Sequence, residues 1–334
     1  ETFKAEGYHN FYGGGYEQLF KNYSQLILNN QESLWEIAFE PNQGQTDNSG
    51  MWATYNGPIV DAPGSYSGTS SYMGRANAFF TVLPYWKSFY ESNADGSQKD
   101  VRRDVNFVDY AYVWNATTET QDKSYTASSI AKSLYRYPGK WRREWMALGF
   151  VDPNHTGVNY CPLRYADVVL MAAEAYNETN NTTEAWKLLN DVRQRAEATP
   201  ITSANYASLM KAPKVYNLDF IDDSDDAGKF RTALYWERGF ELCYEGQRKY
   251  DFLRWGCLGD ALRAAQAYIE SWYPDANEYI NASTLQSWDP VSWASSNYVA
   301  GHNFVDGKHE LYPIPLAEIQ SNAALNGQNN PGFE

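Results

Sequence analysis

Apolar residues in the second half of the chain recur at the spacing of an α-helix. One stripe covers residues 165–176 and another covers residues 185–196, and each places apolar side chains at i, i+3, i+4, i+7 and i+11. Only the polar stretch 177–183 separates the two stripes. A short polar joint between two amphipathic helices is typical of a helical hairpin. The pattern therefore predicts antiparallel helices over residues 162–178 and 183–198.

The hydrophobic pattern divides the chain into a loop-rich first part (1–160), a helical part (161–271) and an irregular aromatic tail (272–334). We expect residues 160–271 to be almost wholly α-helical. Within the first part, the pattern predicts helices over 16–28 and 78–90 and strands over 33–40 and 104–114.

Two prolines shape the tail. Pro313 and Pro315 exclude a helix or a central strand at these positions, because proline has no N–H and its φ is fixed. We therefore expect an extended segment over residues 311–315, with Ile314 buried, and then a short turn over residues 316–321.

Residues 44–74 are mostly Gly, Ser, Thr, Asn and Pro, yet they carry large aromatic side chains without a regular apolar period. A pyranose ring has an apolar C–H face that stacks on an indole or phenol, while its hydroxyls accept and donate hydrogen bonds. We therefore expect a glycan site in this segment, with at least two accessible rings lining one concave surface. The candidate glycan-binding residues are Trp52, Tyr55, Tyr66 and Tyr72.

The alternative is that these rings hold the loop against the helices beneath it. Truncating a buried Trp would then cost about 3 to 5 kcal/mol of stability, and the binding surface would lie elsewhere. A second aromatic group in the tail is the remaining candidate within this chain, namely Trp272, Tyr273, Trp288 and Trp293.

Composition favours a binding protein whose aromatic side chains are partly exposed to solvent. The chain has 12 Trp and 27 Tyr against 15 Phe, and rings with a polar group suit surfaces that are partly exposed. The net charge of −14 repels phosphate backbones and anionic headgroups, so nucleic acid is not an expected partner. No stretch approaches the ~20 apolar residues that a transmembrane helix needs.

Three carboxylates in one predicted helix, Glu237, Glu241 and Glu245, recur every four residues. Like charges at this spacing repel unless cations compensate them. We interpret the carboxylates as part of a structural ion-pair network, although a glycosidase also needs only two carboxylates. The cations closest in sequence are Arg238, Arg248 and Arg254.

The remaining candidate chemistry is weak. Cys161, Cys243 and Cys257 form neither a disulfide framework nor a zinc motif, and we expect buried free thiols. The acidic run at residues 219–226 suits a helix N-terminus, and it lacks the spacing of a calcium loop. We expect no catalytic residues, no metal site and no cofactor.

Several ordered segments resemble the SusD/RagB family of outer-membrane nutrient-binding lipoproteins. They include an Arg-Tyr-Ala-Asp-Val-Val-Leu-Met helix from Arg164, a Glu-Arg-x-x-Glu-Leu-x-x-Glu-Gly-x-Arg motif from Glu237, Pro-Ile-Pro from Pro313 and Asn-Pro-Gly from Asn330. A Leu-Asn-x-Val-Arg-x-Arg-Ala helix end lies between the first two, from Leu189.

The resemblance implies a mainly α fold: a tetratricopeptide-type helical scaffold with long irregular loops and short β elements. It implies a cell-surface protein that captures oligo- or polysaccharide and delivers it to a SusC-like TonB-dependent transporter in the outer membrane. Family members are longer, so we expect this chain to be the C-terminal portion of one SusD-like domain. Membrane attachment is then expected only through an N-terminal lipid anchor outside this chain.

Two other functions remain open at this stage. A glycoside hydrolase using paired carboxylates would release reducing sugar from a glycan. A helical-repeat adaptor would bind a protein partner without any glycan.

Overall fold

The computed structural model describes residues 7–29, 31–40, 49–61, 72–77, 79–80, 82, 84–125, 136–149, 154–209, 223–272 and 303–333. The chain forms two compact units. The first contains residues 1–213 and 221–247, and the second contains residues 214–220 and 248–334. The expectation of one SusD-like domain stays a prediction.

The first unit is built mainly from helices. They are α1 (Tyr16–Ser24), α2 (Trp52–Asn56), α3 (Pro84–Ser88), α4 (Arg102–Asn106), α5 (Tyr165–Glu178), α6 (Thr182–Arg195), α7 (Tyr206–Leu209) and α8 (Asp226–Leu242), with a 3-10 turn at Arg143–Trp145. Mainly α structure is therefore confirmed.

The strands of this unit are short and pair in twos. They are β1 (Ser33–Ile37), β2 (Phe107–Val108), β3 (Tyr110–Asn115), β4 (Thr120–Tyr125), β5 (Tyr137–Pro138) and β6 (Tyr160–Arg164). Strand β1 pairs with β6, β2 with β5 and β3 with β4, each antiparallel. The strands predicted over residues 33–40 and 104–114 are present, although α4 takes the start of the second.

The predicted helical hairpin is formed by α5 and α6, which pack against each other and against α8. The side chain of Asn181 caps α6 by accepting a hydrogen bond from the Glu184 N–H at 3.4 Å. The prediction of nearly continuous helix from residue 160 is wrong at its start, because Tyr160–Arg164 pairs with β1. Residues 210–222 lie outside the described part.

Aromatic side chains fill much of the first unit's core. Tyr16, Phe20 and Tyr23 of α1 are buried around Trp141, and the Phe20 and Trp141 rings meet edge to face at 5.5 Å. Such contacts add to the free energy gained by burying apolar area. They fix α1 against the segment that carries Trp141.

The second unit contains α9 (Arg248–Arg254), α10 (Leu258–Trp272), α11 (Leu316–Ser321) and a 3-10 turn at Ala323–Leu325. The tail is extended up to Pro315, as predicted. The Ile314 N–H donates to the Asn329 side chain at 2.7 Å, and the Asn330 amide donates to the Tyr312 carbonyl at 2.7 Å. Residues 316–321 form a helix rather than a turn, and Ile314 is half-buried rather than buried.

The three free cysteines agree with the sequence only in part. Cys161 and Cys257 are buried, and Cys243 is half-buried. Burial raises the pKa of all three thiols. At neutral pH they are therefore protonated and unreactive.

A buried ion-pair network surrounds the inner face of α8. Glu241 accepts hydrogen bonds from Arg164 at 2.6 Å and Arg102 at 3.1 Å, and it also pairs with Arg195. Glu237 pairs with Arg102 at 2.5 Å. All of these side chains are at most 7 % exposed, so the charges compensate one another with little help from water.

The network confirms the structural interpretation of the three carboxylates, but Arg238 and Arg254 pair with other carboxylates. Glu245 lies beyond the end of α8 and pairs with Lys140 at 2.5 Å. Arg238 instead pairs with Asp167 at 2.7 Å, and Arg254 pairs with Asp251 at 3.0 Å. The compensating charges come from distant parts of the chain, which a local reading could not identify.

We expect Glu241→Gln to destabilise the protein by about 3 to 5 kcal/mol, because it leaves buried guanidinium groups without their counter-charge. Urea unfolding measures this loss. Glu178→Gln is the matched control, since Glu178 forms a half-exposed pair with Arg231 and its loss should cost less than about 1 kcal/mol. Equal losses in the two variants would contradict the prediction.

Acid should destabilise the fold through the same carboxylates. Burial raises the pKa of Glu241 and Glu245, but the neighbouring Arg and Lys charges outweigh it and hold both below the usual range. The unfolded chain therefore binds more protons, and stability is complete above the ordinary Glu pKa of about 4.3 and falls below it. Thermal melts across this range check the sign, and a melting temperature that rises on acidification would contradict it.

Candidate functional site

Helix α2 presents the first of the candidate rings. Tyr55 is half-buried, and its ring lies 4.6 Å from the ring of Phe79, which is 66 % exposed. The Tyr55 hydroxyl lies 3.2 Å from the Met51 sulfur. The two rings together form a partly accessible aromatic surface.

Tyr72 belongs to a second ring pair. Its half-buried ring meets Trp114 of β3 edge to face at 5.0 Å. The segment that follows is anchored on the β3–β4 hairpin, because the Met73 N–H donates to the Gln121 side chain at 2.8 Å. The backbone of residues 72–77 also pairs with residue Val60.

Trp52 lies on the core side of α2. Its ring contacts Tyr160 at 4.8 Å and Trp141 at 6.2 Å, and it packs on the buried aromatic cluster around α1. Its indole N–H is buried and has no hydrogen-bond partner among the described residues. This packing agrees with the alternative stated for these rings, in which the ring of Trp52 holds its segment against the core.

Tyr66 lies outside the described residues, and so do Tyr273, Trp288, Trp293 and the side chain of Trp272. Two candidate rings, Tyr55 and Tyr72, are thus placed in partly accessible pairs. That they bind a glycan stays a prediction.

Arg143 joins the two segments that carry these rings, and sequence reasoning missed it. Its guanidinium donates to the Arg75 carbonyl at 3.0 Å and to the Thr54 hydroxyl at 3.3 Å. Thr54 lies in α2, and Arg75 lies in the segment after Tyr72. Arg143 is only 4 % exposed, so it holds the two segments together from beneath the surface.

Glu144 holds the β3–β4 hairpin, and it was also missed. The hydroxyls of Tyr110 and Tyr112 donate to its two carboxylate oxygens, and Lys123 of β4 pairs with it at 2.7 Å. Burial raises the pKa of Glu144, but the hydrogen bonds from Lys123 and the two tyrosines lower this pKa by more than burial raises it. The carboxyl group is therefore ionised at neutral pH. A two-stranded hairpin is marginal alone, and this contact orients Trp114 beside Tyr72.

The described residues contain no group of three or more His, Cys, Asp or Glu side chains suited to a metal ion. In the acidic run before α8, Asp225 caps the helix by accepting a hydrogen bond from the Gly228 N–H at 2.7 Å. No helix in this described part of the chain is long and apolar enough to cross a membrane.

We expect Trp52→Ala to lower stability by about 2 to 4 kcal/mol, somewhat less than a fully buried Trp, because part of the ring is exposed. Thermal and urea unfolding measure the loss. Tyr55→Ala on the same helix is the control and should cost about 1 kcal/mol or less, since its ring rests on the exposed Phe79. A Trp52 variant as stable as the wild type would show that its core contacts contribute little.

Comparisons with known proteins identify the family. The sequence profile of the SusD family matches residues 31–333. SusD-like protein P2 of Formosa agariphila is 28 % identical over 311 residues, which cover 91 % of this chain and 48 % of that protein. The chain thus spans about half the length of this curated relative.

Solved structures have the same fold. A SusD homolog from Bacteroides thetaiotaomicron is 25 % identical, with a TM-score of 0.66 over 97 % of this chain and 56 % of that one. Surface glycan-binding protein A from the same species, in complex with laminarihexaose, is 18 % identical, with a TM-score of 0.53 over 97 % and 56 % of the two chains. With the profile match, these findings confirm the resemblance seen in the motifs: the chain belongs to the SusD family.

Proposed function

We propose that this protein binds a glycan through the two ring pairs Tyr55–Phe79 and Tyr72–Trp114. One observation carries the proposal. In this chain of the SusD family, partly exposed aromatic rings lie on segments that Arg143 and Glu144 hold in place. Half-exposed rings offer a face for sugar stacking, and nearby backbone and amide groups can bond hydroxyls.

The expected affinity is modest. If each ring contributes on the order of 1 kcal/mol, a few rings and hydrogen bonds give roughly −4 to −7 kcal/mol, or millimolar to tens of micromolar binding. Weak binding suits a protein that must release its cargo. The structural relative solved with laminarihexaose makes that oligosaccharide a reasonable first probe.

The proposed role is capture rather than hydrolysis. Glu237, Glu241 and Glu245 are buried and paired with cations, so these carboxylates cannot reach a glycosidic bond. A glycosidase acid and base must flank the substrate in an open site. The carboxylates that suggested a hydrolase therefore have a structural role.

We further propose that the full-length protein is lipid-anchored at the outer-membrane surface and passes the glycan to a TonB-dependent transporter. Family membership supports this step. Crosslinking on intact cells tests it: recovery of such a transporter with the protein would support transfer, and its consistent absence would not.

We expect Tyr72→Ala and Phe79→Ala each to weaken glycan binding about five- to tenfold, with little change in melting temperature, because each removes one stacking face. Affinity gels containing laminarin, starch, xylan, mannan or mucin identify the glycan. Calorimetry with an oligosaccharide of that glycan then measures the change.

Tyr8→Ala is the matched control. Tyr8 is 79 % exposed and belongs to the N-terminal segment that bonds to Gln31, so its loss should leave binding unchanged. Undiminished binding in both site variants would overturn this assignment of the site. Release of reducing sugar by the wild-type protein would favour hydrolysis instead.

A further inference from the structure

A cleft of about 500 Å³ opens next to the Tyr72 segment. Three stretches form its walls: residues 24–26 at the end of α1, residues 143–147 and 149 around the 3-10 turn, and residues 155–157. The N–H of Gly149, in the second wall, donates to the Tyr72 carbonyl at 2.9 Å. The cleft therefore adjoins the backbone that carries a candidate ring.

One wall of the cleft is conformationally strained. Leu26 has a φ of 61°, in the left-handed region that disfavours a branched side chain. The Ile27 N–H donates to the Asn22 carbonyl at 2.9 Å, which is the bond of a Schellman motif. Glycine usually occupies the position of Leu26 in this motif, yet here a leucine side chain lines the cleft.

The lining has the character of a saccharide site. Leu26, Trp145 and Met146 provide apolar surface, and Gln25 and Thr156 bring polar groups. Such a mixture suits a ligand with an apolar face and several hydroxyls.

The charged lining side chains are already engaged with the protein. Glu144 pairs with Lys123 at 2.7 Å, and Arg143 donates to the Arg75 carbonyl at 3.0 Å. A charged ligand would have to break these contacts, and each broken contact would leave a partly buried group unsatisfied. The cleft therefore favours an uncharged ligand.

We propose that this cleft is a second binding subsite, which receives one end of an uncharged oligosaccharide whose other part lies on the Tyr72–Trp114 pair. The proposal rests on the proposed function and extends it. The volume of the cleft falls within the range of small-molecule sites, so it can enclose sugar units that the open ring pairs cannot. Binding should therefore depend on the length of the saccharide.

Ala147→Trp tests the subsite. Ala147 is exposed and lines the cleft, so an indole at this position narrows the cleft without disturbing the core. Leu148→Trp is the matched control, because Leu148 is 57 % exposed and lies outside the lining that the described residues form. Calorimetry with laminarihexaose and laminaritriose compares a long and a short probe on the whole chain.

We expect the wild type to bind the hexasaccharide about tenfold more tightly than the trisaccharide. Ala147→Trp should bring the hexasaccharide affinity close to that of the trisaccharide and leave the trisaccharide unaffected. Leu148→Trp should retain the length dependence. Leu26→Gly, which relieves the left-handed strain, should weaken hexasaccharide binding several-fold without lowering the melting temperature by more than a few degrees.

The outcomes separate the two proposals. Full hexasaccharide affinity in both Ala147→Trp and Leu26→Gly overturns the subsite and leaves the proposed function standing. A wild type that binds both probes equally also overturns the subsite. If the wild type binds neither saccharide, the assignment of this ligand to the cleft falls, while glycan capture through the rings stands or falls on the affinity gels.

Discussion

The structure of the first unit depends on the compensation of buried charge around α8. Glu241 meets Arg102, Arg164 and Arg195, which come from α4, from the end of β6 and from the end of α6. Removing a charge from water costs several kcal/mol unless its partners are well placed. The elements that supply these cations are therefore held in one arrangement, because any displacement would leave a charge unpaired.

One short stretch of sequence links this network to the candidate site. In residues 140–144, Lys140 pairs with Glu245, and the indole N–H of Trp141 donates to the Tyr244 carbonyl at 3.2 Å. Further along the same stretch, Arg143 and Glu144 hold the segments that carry the rings. Lys140 and Trp141 contact the segment just after α8, whereas Arg143 and Glu144 contact the segments that carry the rings. The positions of the rings are therefore tied to the charged core. The surface is bonded to the core at its base, although it is formed largely by loops.

The sequence predicted what local periodicity controls and missed what distant contacts control. The α5–α6 hairpin followed from a repeated apolar spacing, and the paired role of Glu237 and Glu241 followed from their spacing on α8. The sequence could not show that Trp52 packs on the aromatic core, because α2 has only five residues, too few to show which face is apolar. Glu144 could not be identified, since its role is set by Tyr110 and Tyr112, more than 30 residues away. A lone carboxylate beside arginines gives no local signal of that role.

The braced rings also explain how modest contacts can suffice for capture. A flexible aromatic loop must lose conformational entropy when it closes on a sugar, at about 0.5 to 1.5 kcal/mol for each immobilised side chain. Tyr55 and Tyr72 are already held against Phe79 and Trp114, so this cost has largely been met during folding. The same bracing limits the surface to ligands whose shape fits the fixed spacing of the rings. Selectivity among glycans should then come from spacing and from the polar groups between the rings, because stacking alone barely distinguishes one pyranose from another.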